Sequence, residues 1–259
     1  MSRIDGAFAA ARAENRAAFI SYLTAGYPDE ERFLTAAREL LAVSDLLEVG
    51  LPYSDPLGDG PTVQRSSQLA LESGVTPKRT LELVARLRSE TEKPLLVMTY
   101  YNPVYTYEGG EQAFVRDLRR AGADGVILPD LPPEEAEGLI PTARDQGLDT
   151  IFLVAPTSTE ARLQIVTSAC RGFVYAVSIT GVTGARTTVG SEVPDLVQRV
   201  REVSDLPVAV GFGVSNAATA HPVALAADGV VVGSALVRAL EEGRGVGDLA
   251  REIAGACRR

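Results

Sequence analysis

The chain is 259 residues long, 46% hydrophobic and 23% charged, with a formal net charge of −9, one histidine and two cysteines. That much apolar content builds a sizeable core and excludes disorder, and the length suits either two ordinary domains or one α/β barrel of about 250 residues. The negative charge, without any run of Lys or Arg, argues against nucleic acid or an anionic membrane surface as a partner, and two cysteines lacking CxxC spacing or a neighbouring His argue against a disulfide framework.

In chain order, the opening MSRIDGAFAAARAENRAAFI interrupts every apolar stretch with Arg or Glu, so no signal-peptide core forms. Nothing later approaches the ~20 apolar residues of a membrane span, and a cytoplasmic protein without a targeting segment is expected. The first strand is AFISYLT (18–24), followed by LLEVG (46–50), PLLVMT (94–99), GVILP (125–129), TIFLV (150–154), FVYAV (173–177), PVAVGFG (207–213) and GVVVGS (229–234). Between them lie segments such as ERFLTAARELLAV, PKRTLELVARLRSE, EQAFVRDLRRAG, EEAEGLIPTARDQG, TEARLQIVTSAC, VPDLVQRVREV and NAATAHPVALA, each apolar at helical spacing. Continuously apolar strands alternating with helices describe a parallel sheet covered on both faces. Eight such units predict a single-domain (β/α)8 TIM barrel over residues 1–259, with an N-terminal extra helix; an open doubly wound sheet is the alternative. An internal echo favours the barrel: AGADGVIL (121–128) returns as LAADGVVVG (225–233), four units later.

In a barrel, reacting groups stand at the C-terminal strand ends and a phosphate site lies near the last two strands. The segments SITGVTGAR (178–186), GFGVSNAAT (211–219) and VGSALVRAL (232–240) place glycines there, and the last two run into helix starts. Gly213, Gly233 and Ser234 are therefore candidate phosphate contacts. Lys78 falls in a helical segment and Lys93 before a strand, so neither suits a Schiff base, and the single histidine, His221, falls in a helical segment, leaving metal chemistry without its usual ligands. Carboxylates remain. Glu48 ends the second strand inside an apolar run, where burial would raise its pKa into the useful range, and Asp59 follows in the Gly- and Pro-rich loop, where it could stay ionised. Tyr22, Met98, Tyr100, Ile127, Leu153, Tyr175 and Phe212 point to the same end and suggest a pocket for a flat apolar group with a phosphorylated tail.

Five motifs, EVGLPYSDPLGDGPTVQ (48–64), MTYYNPV (98–104), DGVILPDLPPEE (124–135), SITGVTGAR (178–186) and VGFGVSN (210–216), resemble in order and separation those of the tryptophan synthase alpha subunit family. The resemblance covers nearly the whole chain. It implies a (β/α)8 barrel that cleaves indole-3-glycerol phosphate to indole and glyceraldehyde 3-phosphate without a cofactor of its own. It further implies an αββα complex with a beta subunit that carries pyridoxal phosphate. By motif, Glu48 corresponds to the family's acid–base glutamate, Asp59 to the aspartate that binds the indole N–H, and Tyr175 to the tyrosine that assists the glutamate. Thr183 corresponds to the lid threonine, and Gly184, Gly213, Gly233 and Ser234 to the phosphate site. Two alternatives stand beside it. Another phosphate-binding barrel of the same pathway would want a catalytic Lys or Cys at a strand end, and a catalytically silent activator would have no use for an intact Glu48 and Asp59.

Overall fold

Strands that are apolar on both faces require cover on both faces. All seven residues of β1 (Ala18–Thr24) and all five of β2 (Leu46–Gly50) are buried. The computed structural model describes residues 1–177, 192–211 and 213–259. Within it the series continues with β3 (Leu95–Met98), β4 (Gly125–Ile127), β5 (Asp149–Ile151), β6 (Leu153–Val154), β7 (Val174–Val177), β8 (Val208–Gly211) and β9 (Gly229–Val232). Neighbours pair in parallel in the order β5-β4-β3-β2-β1-β9-β8-β7-β6. The two ends of that order, β5 and β6, are one run of chain parted only by Phe152, so the ladder curls round into an eight-fold barrel. The sequence predicts one strand there. It is divided because the Phe152 N–H donates to Cys170 Sγ at 3.4 Å, while the Phe152 carbonyl still accepts from Tyr175 N at 3.1 Å.

The helices are α1 (Arg3–Ala13), α2 (Glu30–Leu41), α3 (Pro61–Glu72), α4 (Pro77–Arg88), α5 (Tyr101–Tyr105), α6 (Gly110–Arg120), α7 (Leu139–Asp145), α8 (Glu160–Ala169), α9 (Glu192–Arg201), α10 (Ala217–Ala226), α11 (Ser234–Glu241) and α12 (Val246–Ala256). Many start where the chain supplies a cap: the Asp29, Thr76 and Thr159 side chains accept from Arg32, Arg79 and Arg162 backbone N–H groups. The helical pattern from Glu134 splits into a short 3₁₀ turn at Pro133–Glu135 and α7. Beginning at Leu139 places Pro141 in the first turn, where its missing N–H costs no helical bond. Among the described residues no helix is long and apolar enough to cross a membrane.

Ile20, Leu46, Leu96, Ile127, Ile151, Ala209 and Val231 form a buried layer inside the barrel. The expected extra helix, α1, closes the bottom of that layer with Ile4, Phe8 and Ala11; the Phe8 ring lies 5.4 Å from that of Phe173. The repeated ADG of the sequence has its reason at this end. Asp124, just before β4, accepts from Leu95 N at 2.9 Å and from the Arg88 guanidinium at 2.7 Å. Asp228, just before β9, accepts from Val208 N and from Arg201, each at 3.1 Å. Asp45, before β2, does the same with Phe19 N at 2.7 Å and Arg16 at 2.6 Å. Each carboxylate latches the start of the preceding strand to an arginine. The glycine that follows is equally constrained, because a Cβ at Gly125 would lie 2.8 Å from Leu96 Cδ2 and one at Gly229 would lie 2.9 Å from Ala209 Cβ.

Asp124→Ala is expected to destabilise the fold by about 3 kcal/mol, since it strands a buried backbone N–H and leaves the half-buried Arg88 charge uncompensated. Urea denaturation checks this: the midpoint should fall with the slope unchanged, whereas a wild-type midpoint would show that the latch contributes nothing.

Candidate active site

Along β2 alternate residues face opposite ways, so Leu46, Glu48 and Gly50 point into the barrel while Leu47 and Val49 pack under the helices. Glu48 thus becomes a carboxyl at the upper end of an apolar interior. It is 1% exposed, and neither Oε1 nor Oε2 has a hydrogen-bond partner among the described residues. Burial alone pushes it up to about 8, so at neutral pH it holds a proton.

Two tyrosines flank it. Tyr22 on β1 is the register partner of Glu48, and its ring lies over Gly50: a Cβ there would stand 2.1 Å from the Tyr22 Oη. Tyr175 on β7 lies over Gly211 of β8 in the same way, 2.4 Å from the position of a Cβ. Only glycine fits beneath either ring. Burial raises the Tyr175 phenol well above its ordinary value, with the nearby Glu48 and Asp59 carboxyls adding to the shift.

Asp59 comes from the turn after β2. Its N–H donates to the Pro56 carbonyl at 3.0 Å, and its own carbonyl accepts from Gln64 Nε2 of α3 at 2.8 Å. Next to it, Gly58 N donates to the Tyr100 hydroxyl at 2.9 Å. Partial burial pushes Asp59 up to about 6, with a hydrogen bond from Tyr100 working in the opposite direction. It remains ionised at neutral pH, so the two carboxyls sit in opposite protonation states.

Asp59, Tyr22, Met98 and Tyr100 line one small cleft, and Glu48 and Tyr175 lie outside its lining. Leu51, Tyr53, Pro56, Ser67 and Thr99 line it too and escape sequence reasoning. Tyr53 and Pro56 could have been found from their place in the Asp59 loop; Ser67 and Thr99 carry no such signal, as small hydroxyls are common on helices and at strand ends. Ile127 lies deeper, fully buried in the interior layer, and Leu153 packs against that layer partly exposed. Thr183, Gly184 and Phe212 lie outside the described residues.

At the candidate phosphate corner, Gly213 takes a φ of +82°, and no atom of the described residues lies within 4 Å of where its Cβ would stand. Gly233 precedes α11, where Leu236 N and Val237 N already donate to the Gly233 carbonyl at 2.9 and 3.1 Å; the first turn has no side-chain cap among the described residues, which leaves the Ser234 and Ala235 N–H groups to meet an anion. The start of α10 differs. Asn216 caps it in a reciprocal box with Thr219, which satisfies donors the sequence leaves open to a ligand.

The other ionisable candidates take structural places. Lys93 Nζ donates to the Leu41 and Ser44 carbonyls at 2.6 and 2.7 Å, Lys78 is exposed on α4, and exposed His221 lies 3.2 Å from the Ala256 carbonyl. Asp130 accepts from Tyr101 N at 2.9 Å at the start of α5. Among the described residues no group of three or more His, Cys, Asp or Glu is arranged to hold a metal.

The family profile described as "Tryptophan synthase alpha chain" matches residues 8–255. The tryptophan synthase alpha chain of Deinococcus radiodurans is 53% identical over 260 residues, covering 100% of this chain and 96% of that one. That of Mycobacterium marinum is 51% identical over 243 residues, covering 93% and 89%. In structure, tryptophan synthase from M. tuberculosis superposes with a TM-score of 0.91 at 45% identity, covering 100% and 99% of the two chains. A tryptophan synthase subunit alpha from Legionella pneumophila does so at 0.88 with 33% identity, covering 99% and 98%. With profile, sequence and structure agreeing from end to end on a barrel of this construction, the chain belongs to the tryptophan synthase alpha chain family.

Proposed function

We propose that the chain, acting as one barrel domain in the cytoplasm, cleaves indole-3-glycerol phosphate to indole and glyceraldehyde 3-phosphate. The arrangement that carries this reading is a carboxyl, Asp59, lining the cleft beside Tyr22, with a second, Glu48, buried in the barrel interior on the strand next to Tyr22 and pushed up to about 8 by burial. Breaking the bond from indole C3 to the glycerol chain takes a proton delivered to C3, an anion to stabilise the resulting indolenine cation, and a base for the glycerol hydroxyl as its carbonyl forms. Glu48 gives the first proton and, once ionised, accepts the second. Asp59 binds the indole N–H and stabilises the cation. Tyr175 beside Glu48 steers the proton transfers. The ring occupies the cleft between Tyr22, Met98 and Tyr100, above Ile127 and Leu153 and against Phe212. The phosphate is held by backbone N–H groups at Gly184, Gly213, Gly233 and Ser234, which is how a protein of net charge −9 can hold an anion without a lysine. Thr183 closes over Asp59. No step calls for a cofactor on this chain.

The partner is a beta subunit in an αββα assembly, with pyridoxal phosphate on the beta side. Its docking surface includes the turn between β2 and α3, where Leu57 is 93% exposed, and α5, where Tyr105 is 67% exposed. Purified protein mixed with indole-3-glycerol phosphate should release indole slowly, and much faster once a beta subunit is added. No indole in either mixture would overturn the assignment.

A further inference from the structure

The backbone around Asp59 is held by bonds that do not touch its carboxyl. Its N–H donates to the Pro56 carbonyl, and Gln64 Nε2 of α3 donates to the Asp59 carbonyl at 2.8 Å and to that of Pro56 at 3.4 Å. The carboxyl is met instead by Tyr100, which follows β3 and is 6% exposed. The Tyr100 ring lies 5.3 Å from that of Tyr53 in the turn that carries Asp59, with 32° between their planes. The next residue is fixed as well, since Tyr101 N donates to both oxygens of Asp130, at 2.9 and 3.1 Å. At the tip of the ring, the Tyr100 hydroxyl lies 2.9 Å from Gly58 N.

The direction of that last bond is decided, because an amide N–H can only donate. The Tyr100 oxygen accepts from Gly58, so its one proton is left for another acceptor, and the Asp59 carboxyl is hydrogen-bonded to the same hydroxyl. The other titratable groups facing Asp59 are Tyr22 from β1 and Tyr175 from β7; Glu48 of β2 faces the same two phenols, and Asp130 faces Tyr100 from beyond β4. No cation stands among them. We infer that Tyr100 is a positioning residue: its hydroxyl ties the Gly58 N–H to the Asp59 carboxylate and so holds that charge, with the turn that carries it, at the wall of the cleft before substrate arrives. Burial works against the charge on Asp59, and the bond from Tyr100 works for it. The inference rests on the reading of Asp59 as the group that stabilises the cation, and it names what keeps that group in place.

Tyr100→Phe keeps the ring and its contact with Tyr53 and removes only the hydroxyl. The Asp59 titration is followed in the whole protein by carboxyl-carbon NMR, assigned by the signal lost in Asp59→Asn. In Tyr100→Phe the midpoint should rise from about 6 by about one pH unit, the size of one hydrogen bond lost from the charged form. Replacing Tyr100 by a ring-fluorinated tyrosine, a stronger donor, should lower the midpoint, and it serves if Tyr100→Phe folds poorly. In indole release, kcat of Tyr100→Phe should fall about fivefold at pH 7 with KM nearly unchanged, and in the Asp59→Asn background the same substitution should cost little more. An unchanged or lowered midpoint in Tyr100→Phe, or a midpoint that fluorination leaves in place, would overturn the inference. Because the signal reports protonation and not turnover, the bond between Tyr100 and Asp59 stays readable in a chain that releases no indole, and a missing shift leaves the role of Asp59 in cleavage untouched.

Discussion

Glu48→Gln is expected to release no measurable indole from indole-3-glycerol phosphate while unfolding at a higher temperature than wild type above neutral pH. The amide fills the same space but can neither deliver a proton to C3 nor take one from the glycerol hydroxyl, so both halves of the cleavage fail together. The stability gain has the same origin as the activity loss. Burial raises the Glu48 carboxyl from the ordinary 4.5 to about 8. Below 4.5 the carboxyl is protonated in both folded and unfolded chains and the fold bears no cost. As pH rises toward 8 the unfolded chain ionises and the folded one does not, so stability is progressively lost, by up to about 3 kcal/mol near pH 7. Gln is exempt from that loss. Thermal melts at pH 5 and pH 8 should show the variant gaining on wild type between them; a constant difference would mean the folded carboxyl is already ionised. Wild-type turnover in the variant would remove Glu48 from the mechanism.

Asp59→Asn should lower turnover by about a thousandfold or more, because the cationic indolenine then forms without its counter-charge in a partly dehydrated cleft. The amide keeps the shape of the site, so substrate affinity should change far less than turnover; a loss confined to KM would make Asp59 a binding residue only. The pH profile gives a second check. With Asp59 at about 6 and Glu48 at about 8, wild-type activity should fall on the acid side as Asp59 takes up a proton and on the alkaline side as Glu48 gives one up. In Asp59→Asn the acid limb near pH 6 should vanish from the residual activity while the alkaline limb stays.

Much of this was legible in the chain because barrels write their strands plainly. LLEVG is apolar on both sides of Glu48, which marks the charge as out of place in a strand covered on both faces; the structure sets it third of the five residues of β2, facing into the barrel, rather than at the strand end the sequence suggests. The different surroundings of two carboxyls eleven residues apart were also readable, since one lies in an apolar strand and the other in a turn. What stayed hidden depends on contacts between distant segments. Nothing local in TIFLV says that Phe152 leaves the ladder, because its partner, Cys170, arrives from the far end of α8. Ser66 and Ser67 read as ordinary helix residues. One hydroxyl lies 2.6 Å from that of Thr24 on β1 and the other lines the cleft only because α3 packs where it does. The capping of α10 by Asn216 was open to inspection in VSNAAT, yet it competes with an anion site in the same few residues. Local pattern names both uses without ranking them.

The rings of Tyr22 and Tyr175 each rest on a bare backbone, at Gly50 and Gly211. Such a wall yields in one direction. Shortening either tyrosine uncovers a ready-made hollow above its glycine, which would let bulkier aromatic rings enter. Adding even a methyl group at either glycine displaces the phenol that lies over it. Redesign of this cleft for larger indoles should therefore proceed by subtraction from the tyrosines, with both glycines left untouched.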